Sequence, residues 1–312
     1  MTERIAVIGG GTIGSSWAAF YALKGFQVSL QDISENCNLQ ALKRINSMVS
    51  FLAEKGLIDA AKKETALSNI ETYTEIRTAV QSAHFIQESG PENYEIKKMI
   101  YKEIEQGASP EALIGSSTSG LSISIIQSAI STPDRCFTAH PFNPPHLIPL
   151  VEIVPGKQTS PHVIDKAKEF YLKLGKVPVI LKKEVPGHIA NRLAAALWRE
   201  AIDLVVEGVA SVEDVDKAVA SGPGLRWALM GPHLIYHMGG GEGGLEHFIE
   251  HLGPAFESWW EVMAKWDRIP SEAKETLLEG VAKEVSGSTM QELVDWRDNK
   301  LVGLLKLLDY SI

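Results

Sequence analysis

The sequence predicts an α/β fold: an N-terminal Rossmann-type doubly wound sheet followed by an all-helical C-terminal domain. Three observations predict it. Short runs rich in β-branched residues alternate with helix-period segments through the first part of the chain, the pattern of βαβ units and a parallel sheet. A glycine-rich turn, Gly9-x-Gly11-x-x-Gly14, directly follows the first of those runs and opens a helical segment. Beyond KKEVPG the strand signal nearly vanishes, and Leu193, Leu197, Ala201, Leu204 and Val205 recur at helical spacing. The boundary therefore falls near residue 185, dividing the chain into 1–185 and 186–312.

The expected strands are, in order, RIAVIG, QVSLQD, HFIQES, ALIGSS, CFTAH, LVEIV and PVILKK. Between them lie helical segments such as PENYEIKKMIYKEIEQG, opened by a proline and closed by a glycine. The excursion SENCNLQALKRINSMVSFLAEKGLIDAAKKETALSNI after the second strand reads as a helical pair. In the C-terminal part, SVEDVDKAVASG and TMQELVDWRDNKLVGLLKLLDY each carry a Ser or Thr near a helix start. The run MGGGEGG lacks the Lys and Ser/Thr of a phosphate-binding P-loop and reads as a flexible loop.

Composition narrows the class. The chain has 312 residues, 45% hydrophobic and 22% charged, near the average of soluble globular proteins. Its net charge of −9, with no Lys/Arg run, favours neither nucleic acid nor an anionic membrane as partner. Cys37 and Cys136 form neither a disulfide framework nor a metal spacing. His233, His237, His247 and His251 cluster without a convincing ligand set, so no metal is expected. No export signal or membrane span is evident, and the expected location is the cytoplasm.

The glycine turn carries a specific chemistry. Gly9 permits a tight turn, Gly11 lets the backbone approach a pyrophosphate, and Gly14 allows close helix–strand packing, while the helix start offers amides to the anion. Asp32 closes the second strand, where a carboxylate accepts hydrogen bonds from a ribose diol. The same carboxylate repels a 2′-phosphate, and the following Ile33 and Ser34 offer no arginine to bind one. NAD rather than NADP is the expected cofactor.

A nicotinamide enzyme that oxidises a hydroxyl needs a base to take the proton as hydride leaves. Histidine suits that task when a carboxylate fixes its tautomer and steadies the imidazolium. CFTAHPFNPPHLIPLVEIV supplies such a pair, His140 at the end of one strand and Glu152 in the next. His146 is read as bordering the pocket.

The ordered set SSTSGL, AHPFNPP, LVEIV, GHIANRL and MGP resembles the L-3-hydroxyacyl-CoA dehydrogenase superfamily over nearly the whole chain. The resemblance implies a Rossmann-type domain, a helical domain that forms a homodimer, His140 as base and Glu152 as its partner. It further implies that Ser119 bonds the substrate oxygen and that Asn191 helps stabilise the developing oxyanion. Glu92, Lys97, Ser117 and Asn143 fall where the family contacts the nicotinamide half of the cofactor.

For the substrate, the helical excursion offers Lys43, Arg44 and Lys55 among acids but no compact lysine cluster for a CoA nucleotide. SGPGLRWALMGPHLIYHMGGGEGGLEHFIEHLGPAFESWW resembles the matching region of carnitine 3-dehydrogenases, and its GLR-aromatic…GP portion that of L-gulonate 3-dehydrogenases. Both act on small free 3-hydroxycarboxylates, for which Arg226 is the candidate clamp. The expectation is NAD-dependent, reversible oxidation of such an L-3-hydroxy acid. An L-3-hydroxyacyl-CoA substrate is the alternative, and a non-catalytic NAD-binding protein, like the lambda-crystallins of the lens that are related to L-gulonate 3-dehydrogenases, a third reading.

Overall fold

The computed structural model describes residues 3–310. Its contacts group into two compact units, one running to Asn191 and including the chain from Leu305 on, the other spanning Arg192–Leu304.

The first unit is built on eight strands: β1 (Arg4–Ile8), β2 (Gln27–Gln31), β3 (Ile70–Tyr73), β4 (Phe85–Glu88), β5 (Leu113–Ser116), β6 (Cys136–Pro141), β7 (Leu150–Pro155) and β8 (Val177–Ile180). They form one sheet in the order β3-β2-β1-β4-β5-β6-β7-β8. Every pairing is parallel except β6–β7. Residues of β1, β4 and β5 are buried on both faces, which suits the apolar run of β1, while the polar ends of β4 and β5, Gln87, Glu88 and Ser116, are buried as well. The chain order reverses between β1 and β4, and the crevice at such a switch point is where open α/β sheets bind ligands.

The helices of this unit are α1 (Thr12–Leu23), α2 (Glu35–Glu54), α3 (Ala60–Ser68), α4 (Ile76–Val80), α5 (Tyr94–Gly107), α6 (Ile123–Gln127) and α7 (Pro161–Lys173). The Ser34 hydroxyl caps α2 by accepting from the Cys37 amide, and the Asp59 carboxylate caps α3 through the Lys62 amide. The expected helical pair is therefore present. The strand β3 that follows it was not among the expected strands. It has four residues at the sheet edge, with Ile70 and Tyr73 half-buried and Glu71 and Thr72 exposed, so it carries no alternation to read.

Short connection length decides the one antiparallel pairing. Parallel neighbours need a crossover helix, whereas a brief loop returns the chain beside itself in the opposite sense. Residues 142–149 are too few for a crossover, so β7 lies antiparallel to β6. After β7 there is room for α7, and β8 returns parallel.

The helices that follow are α8 (Ala190–Val206), α9 (Val212–Ser221), α10 (Pro223–Trp227), α11 (Pro232–Gly239), α12 (Gly244–Val262), α13 (Ala273–Glu284) and α14 (Met290–Leu307). Val205, Val212 and Val215 form a small buried cluster in the second unit. Gly280 lets α13 approach α9, since a Cβ there would lie 2.2 Å from a Val212 methyl carbon. The MGGGEGG run is a compact turn rather than a loose loop. It ends α11, makes one 3-10 turn and starts α12, and a Cβ on Gly240 would lie 1.7 Å from the Gly244 carbonyl oxygen. Among the described residues no helix is long and apolar enough to cross a membrane.

Candidate active site

The glycine turn has the shape its sequence predicts. Gly9 adopts φ +92°, and a Cβ there would meet the Ser89 carbonyl oxygen at 2.7 Å. A Cβ on Gly14 would lie 1.7 Å from the Gly9 carbonyl oxygen, so α1 can approach β1 this closely only without a side chain. Gly11, by contrast, faces open space and is the N-cap of α1, with no side chain capping the helix amides. The Asp32 carboxylate accepts from the Gly10 amide at 2.9 Å and the Ile33 amide at 2.7 Å, which fixes it at the lip of the same turn. Open uncapped amides at a helix start beside a fixed carboxylate fit the pyrophosphate and ribose of NAD. When bound, NAD accepts the hydride. Arg44, weighed above as a CoA contact, is instead committed to this turn. Its guanidinium donates to the Gly10 carbonyl at 2.6 Å and the Ser15 hydroxyl at 3.2 Å.

His140 and Glu152 stand directly opposite each other in the β6–β7 ladder, so both side chains project from the same face. The His140 Nδ1 lies 2.8 Å from Glu152 Oε2, with both residues buried. The other carboxylate oxygen accepts from the Ile189 amide at 2.8 Å and the Ala190 amide at 3.0 Å, at the start of α8. Burial pushes the Glu152 carboxyl up, but His140 and the Ala190 and Ile189 amides outweigh it and hold its pKa below the ordinary value. The carboxylate is thus kept ionised, and it orients the ring so that Nε2 is the nitrogen left for chemistry.

The turn after β5 brings in the next group. Glu92 Oε1 accepts from the Thr118 hydroxyl at 2.6 Å and from the Ser119 and Gly120 amides at 2.9 and 3.1 Å, so this carboxylate shapes the Ser119 turn. Ser119 is exposed, and no partner for its hydroxyl occurs among the described residues. Ser117 is held from below: its hydroxyl accepts from the Gln87 amide at 2.9 Å and pairs with Ser89 at 2.9 Å. Gln87 in turn accepts from Tyr21 and Tyr171, tying the centre of the sheet to α1 and α7. Asn143 is exposed in the loop between β6 and β7, and Asn191 is half-buried one residue beyond the amide that bonds Glu152.

Lys97, expected near the nicotinamide half of the cofactor, is held inside the fold. Its ammonium is 1% exposed and donates to both Glu88 oxygens, at 2.8 and 3.0 Å, and to the Gly90 carbonyl at 3.1 Å. The Ser116 hydroxyl and the Gly90 amide complete the Glu88 shell, at 2.5 and 2.7 Å. A buried ion pair is tolerated where such extra bonds satisfy it. Lys97 therefore braces the loop after β4 from inside. Its motif carried no sign of the Glu88 partner, which sits in an ordinary-looking strand end.

His146 bolts its loop to α1. The Ser16 hydroxyl on α1 accepts from the His146 amide at 2.9 Å and lies 2.8 Å from its Nδ1. Lys176 pins the same loop. Buried at 4% exposure, its ammonium donates to the carbonyls of Pro145 and Ile148 and lies over the Trp17 and Phe20 rings. Arg226 is exposed on α10, with no ion pair among the described residues. No group of three or more His, Cys, Asp or Glu able to hold a metal occurs among the described residues.

The NAD binding domain of 3-hydroxyacyl-CoA dehydrogenase matches residues 4–185, and the C-terminal domain of the same family matches residues 187–280. The chain is 38% identical over 307 residues to an L-carnitine dehydrogenase of Bacillus cereus, covering 98% of this chain and 93% of that relative. It is 38% identical over 309 residues to an L-carnitine dehydrogenase of a Pseudomonas species, with 99% and 95% covered. Among solved structures, it resembles an NAD⁺-dependent dismutase, 5-formyl-3-hydroxy-2-methylpyridine 4-carboxylic acid 5-dehydrogenase, with TM-score 0.82, 29% identity and 99% of both chains covered. A (S)-3-hydroxybutyryl-CoA dehydrogenase of Ralstonia eutropha matches with TM-score 0.67, 26% identity and 91% and 95% covered. The chain belongs to the 3-hydroxyacyl-CoA dehydrogenase family. It is an NAD-dependent dehydrogenase acting on a hydroxyl group.

Proposed function

We propose that this chain oxidises the 3-hydroxyl of a small free L-3-hydroxycarboxylate, with L-carnitine the first choice, reversibly to the 3-oxo acid. The observation that carries the reaction is the buried His140–Glu152 pair at 2.8 Å. On this reading His140 Nε2 takes the hydroxyl proton, Glu152 holds the tautomer and the imidazolium, and Ser119 and Asn191 bind the oxygen on which charge develops.

Several features support a small free acid over a CoA thioester. The relatives covering almost the full chain are named L-carnitine dehydrogenase. Of the three basic residues on α2 and its cap, Arg44 is engaged at Gly10, the Lys55 ammonium lies over the Phe51 ring, and Lys43 alone is exposed and unengaged. Arg226 offers a bidentate donor for a carboxylate. The helical unit also holds a packed group of aromatic rings, Tyr236, Phe248, Phe256, Trp259 and Trp260, chemistry that suits a quaternary ammonium group. The CoA reading keeps the support of the 3-hydroxybutyryl-CoA dehydrogenase structures.

The test is a substrate panel followed by NADH absorbance: L-carnitine, L-gulonate and 3-hydroxybutyryl-CoA, each with NAD and with NADP. Turnover of L-carnitine with NAD is expected, at a kcat/KM at least tenfold above the CoA ester and above any rate with NADP. A higher kcat/KM for the CoA ester overturns the substrate assignment, and preferred use of NADP overturns the role given to Asp32.

A further inference from the structure

The structure brings a second histidine into the site. His188 is 4% exposed and adopts φ +50°, a left-handed conformation uncommon outside glycine. Its ring lies 5.0 Å from that of His140, centroid to centroid, at 50°. Its Nε2 sits 3.1 Å from the Thr118 carbonyl oxygen. A carbonyl only accepts, so Nε2 carries the proton and the neutral ring presents Nδ1 as a bare lone pair. That Nδ1 is buried with no partner among the described residues.

Its neighbours make the position unusual. Thr118 precedes Ser119, whose amide is held by Glu92. Ile189 and Ala190, directly after His188, donate the two amides that hold Glu152. Asn191 follows them. One residue therefore ties together the Ser119 turn, the ring of His140, the amides on Glu152 and the start of α8.

We propose that His188 is a positioning residue for the dehydrogenation: it holds the Ser119 turn against His140 and must stay neutral for His140 to accept a proton. This rests on His140 being the base. The groups facing His188 are His140 on β6, Glu152 on β7, Glu92 before α5, and Tyr94 and Glu184, which line with it a cavity of about 130 Å³. Burial keeps the His188 pKa below the ordinary histidine value, against the hydrogen bond to Thr118, and the neighbouring His140 lowers it further. As pH falls through that pKa, a cation appears beside His140, and forming the His140 imidazolium then means placing two like charges 5.0 Å apart. The acid limb of the oxidation profile should therefore carry the ionisation of His188.

Two variants separate this from a merely structural role. The Gln amide nitrogen lies two bonds beyond Cγ, as His Nε2 does, so His188→Gln keeps an N–H for Thr118 and removes the titration but not the tether. His188→Gly keeps the backbone and removes both. The first readout needs no substrate: histidine-ring NMR titration of wild type and His188→Gln. The signals lost in His188→Gln belong to His188 and should titrate below the ordinary histidine range in wild type. A His188 ring that titrates at or above that range overturns the proposal. The second readout is the acid limb of log(kcat/KM) with the acid oxidised in the panel. It should be steeper in wild type than in His188→Gln, and parallel limbs overturn the proposal. His188→Gly should lose roughly 10–100-fold in kcat with the NADH Kd unchanged, the scale of a misplaced reacting group. A folded His188→Gly with wild-type kcat refutes the positioning role. A His140→Ala variant that turns over normally would instead sink the assignment of the base, and the two failures are thereby distinguished.

Discussion

At the scale of single residues, the Glu152 carboxylate uses both of its oxygens as acceptors. It accepts from the Ile189 and Ala190 amides with one oxygen and faces the His140 Nδ1 with the other. In Glu152→Gln the amide oxygen can still serve the two backbone N–H groups, which leaves the NH2 to donate to Nδ1. The ring proton then moves to Nε2, and the base has no lone pair for the substrate. We expect kcat to fall roughly 10²–10⁴-fold, the usual weight of general acid–base catalysis, with NADH binding retained in a fluorescence titration. A Glu152→Gln enzyme within threefold of wild type contradicts the role assigned to the carboxylate. His140 and Glu152 stand out in the sequence as a histidine and a carboxylate on neighbouring strands, whereas Ser119 and Asn191 are singled out only by the family resemblance. His188 was visible only as a letter in GHIANRL. Its meaning depends on a positive φ and on a carbonyl 70 residues away, and neither leaves a trace in local sequence. Glu88 escaped notice for the same reason, since its partner Lys97 lies on the following helix.

At the scale of elements, the loop between β6 and β7 sets the register that makes the His140–Glu152 pair. Strand existence was readable from apolar runs, but direct opposition of two residues is a property of the ladder, and a slip by one would send one side chain to the other face. The loop is held by His146 to α1 and by Lys176 to its own carbonyls. Lys176 has a pH signature. Burial, with Lys24 nearby, pulls its pKa from 10.5 down to about 7. Above pH 7 the folded protein releases this proton while the unfolded chain keeps it up to about 10, so the stability from this site rises with pH across that window. The Tm difference between wild type and Lys176→Met should therefore shift in favour of wild type from pH 7 to pH 9. A difference that does not change with pH contradicts the lowered pKa of Lys176. The edge strand β3 marks where element reading failed, because four residues with half-buried ends look like the tail of the preceding helix.

At the scale of the whole molecule, the sequence shows the order of parts: a glycine turn and an acid that fit NAD, then a buried histidine–glutamate pair, then a helical unit with an exposed arginine and an aromatic group. The family match spans both parts, so the reaction type follows from the whole chain and not from one motif. The substrate does not follow so directly, because small acids and CoA esters differ at groups remote from the reacting carbon, while the dyad serves both alike. The central claim is that His140 moves the proton while NAD binding rests on other residues. The most direct measurement is single-turnover oxidation of the preferred acid by His140→Ala, paired with an NADH titration of the same protein. We predict a rate loss of roughly 10²–10⁴-fold with the NADH Kd within twofold of wild type. A single-turnover rate near wild type, with NADH bound normally, would contradict it.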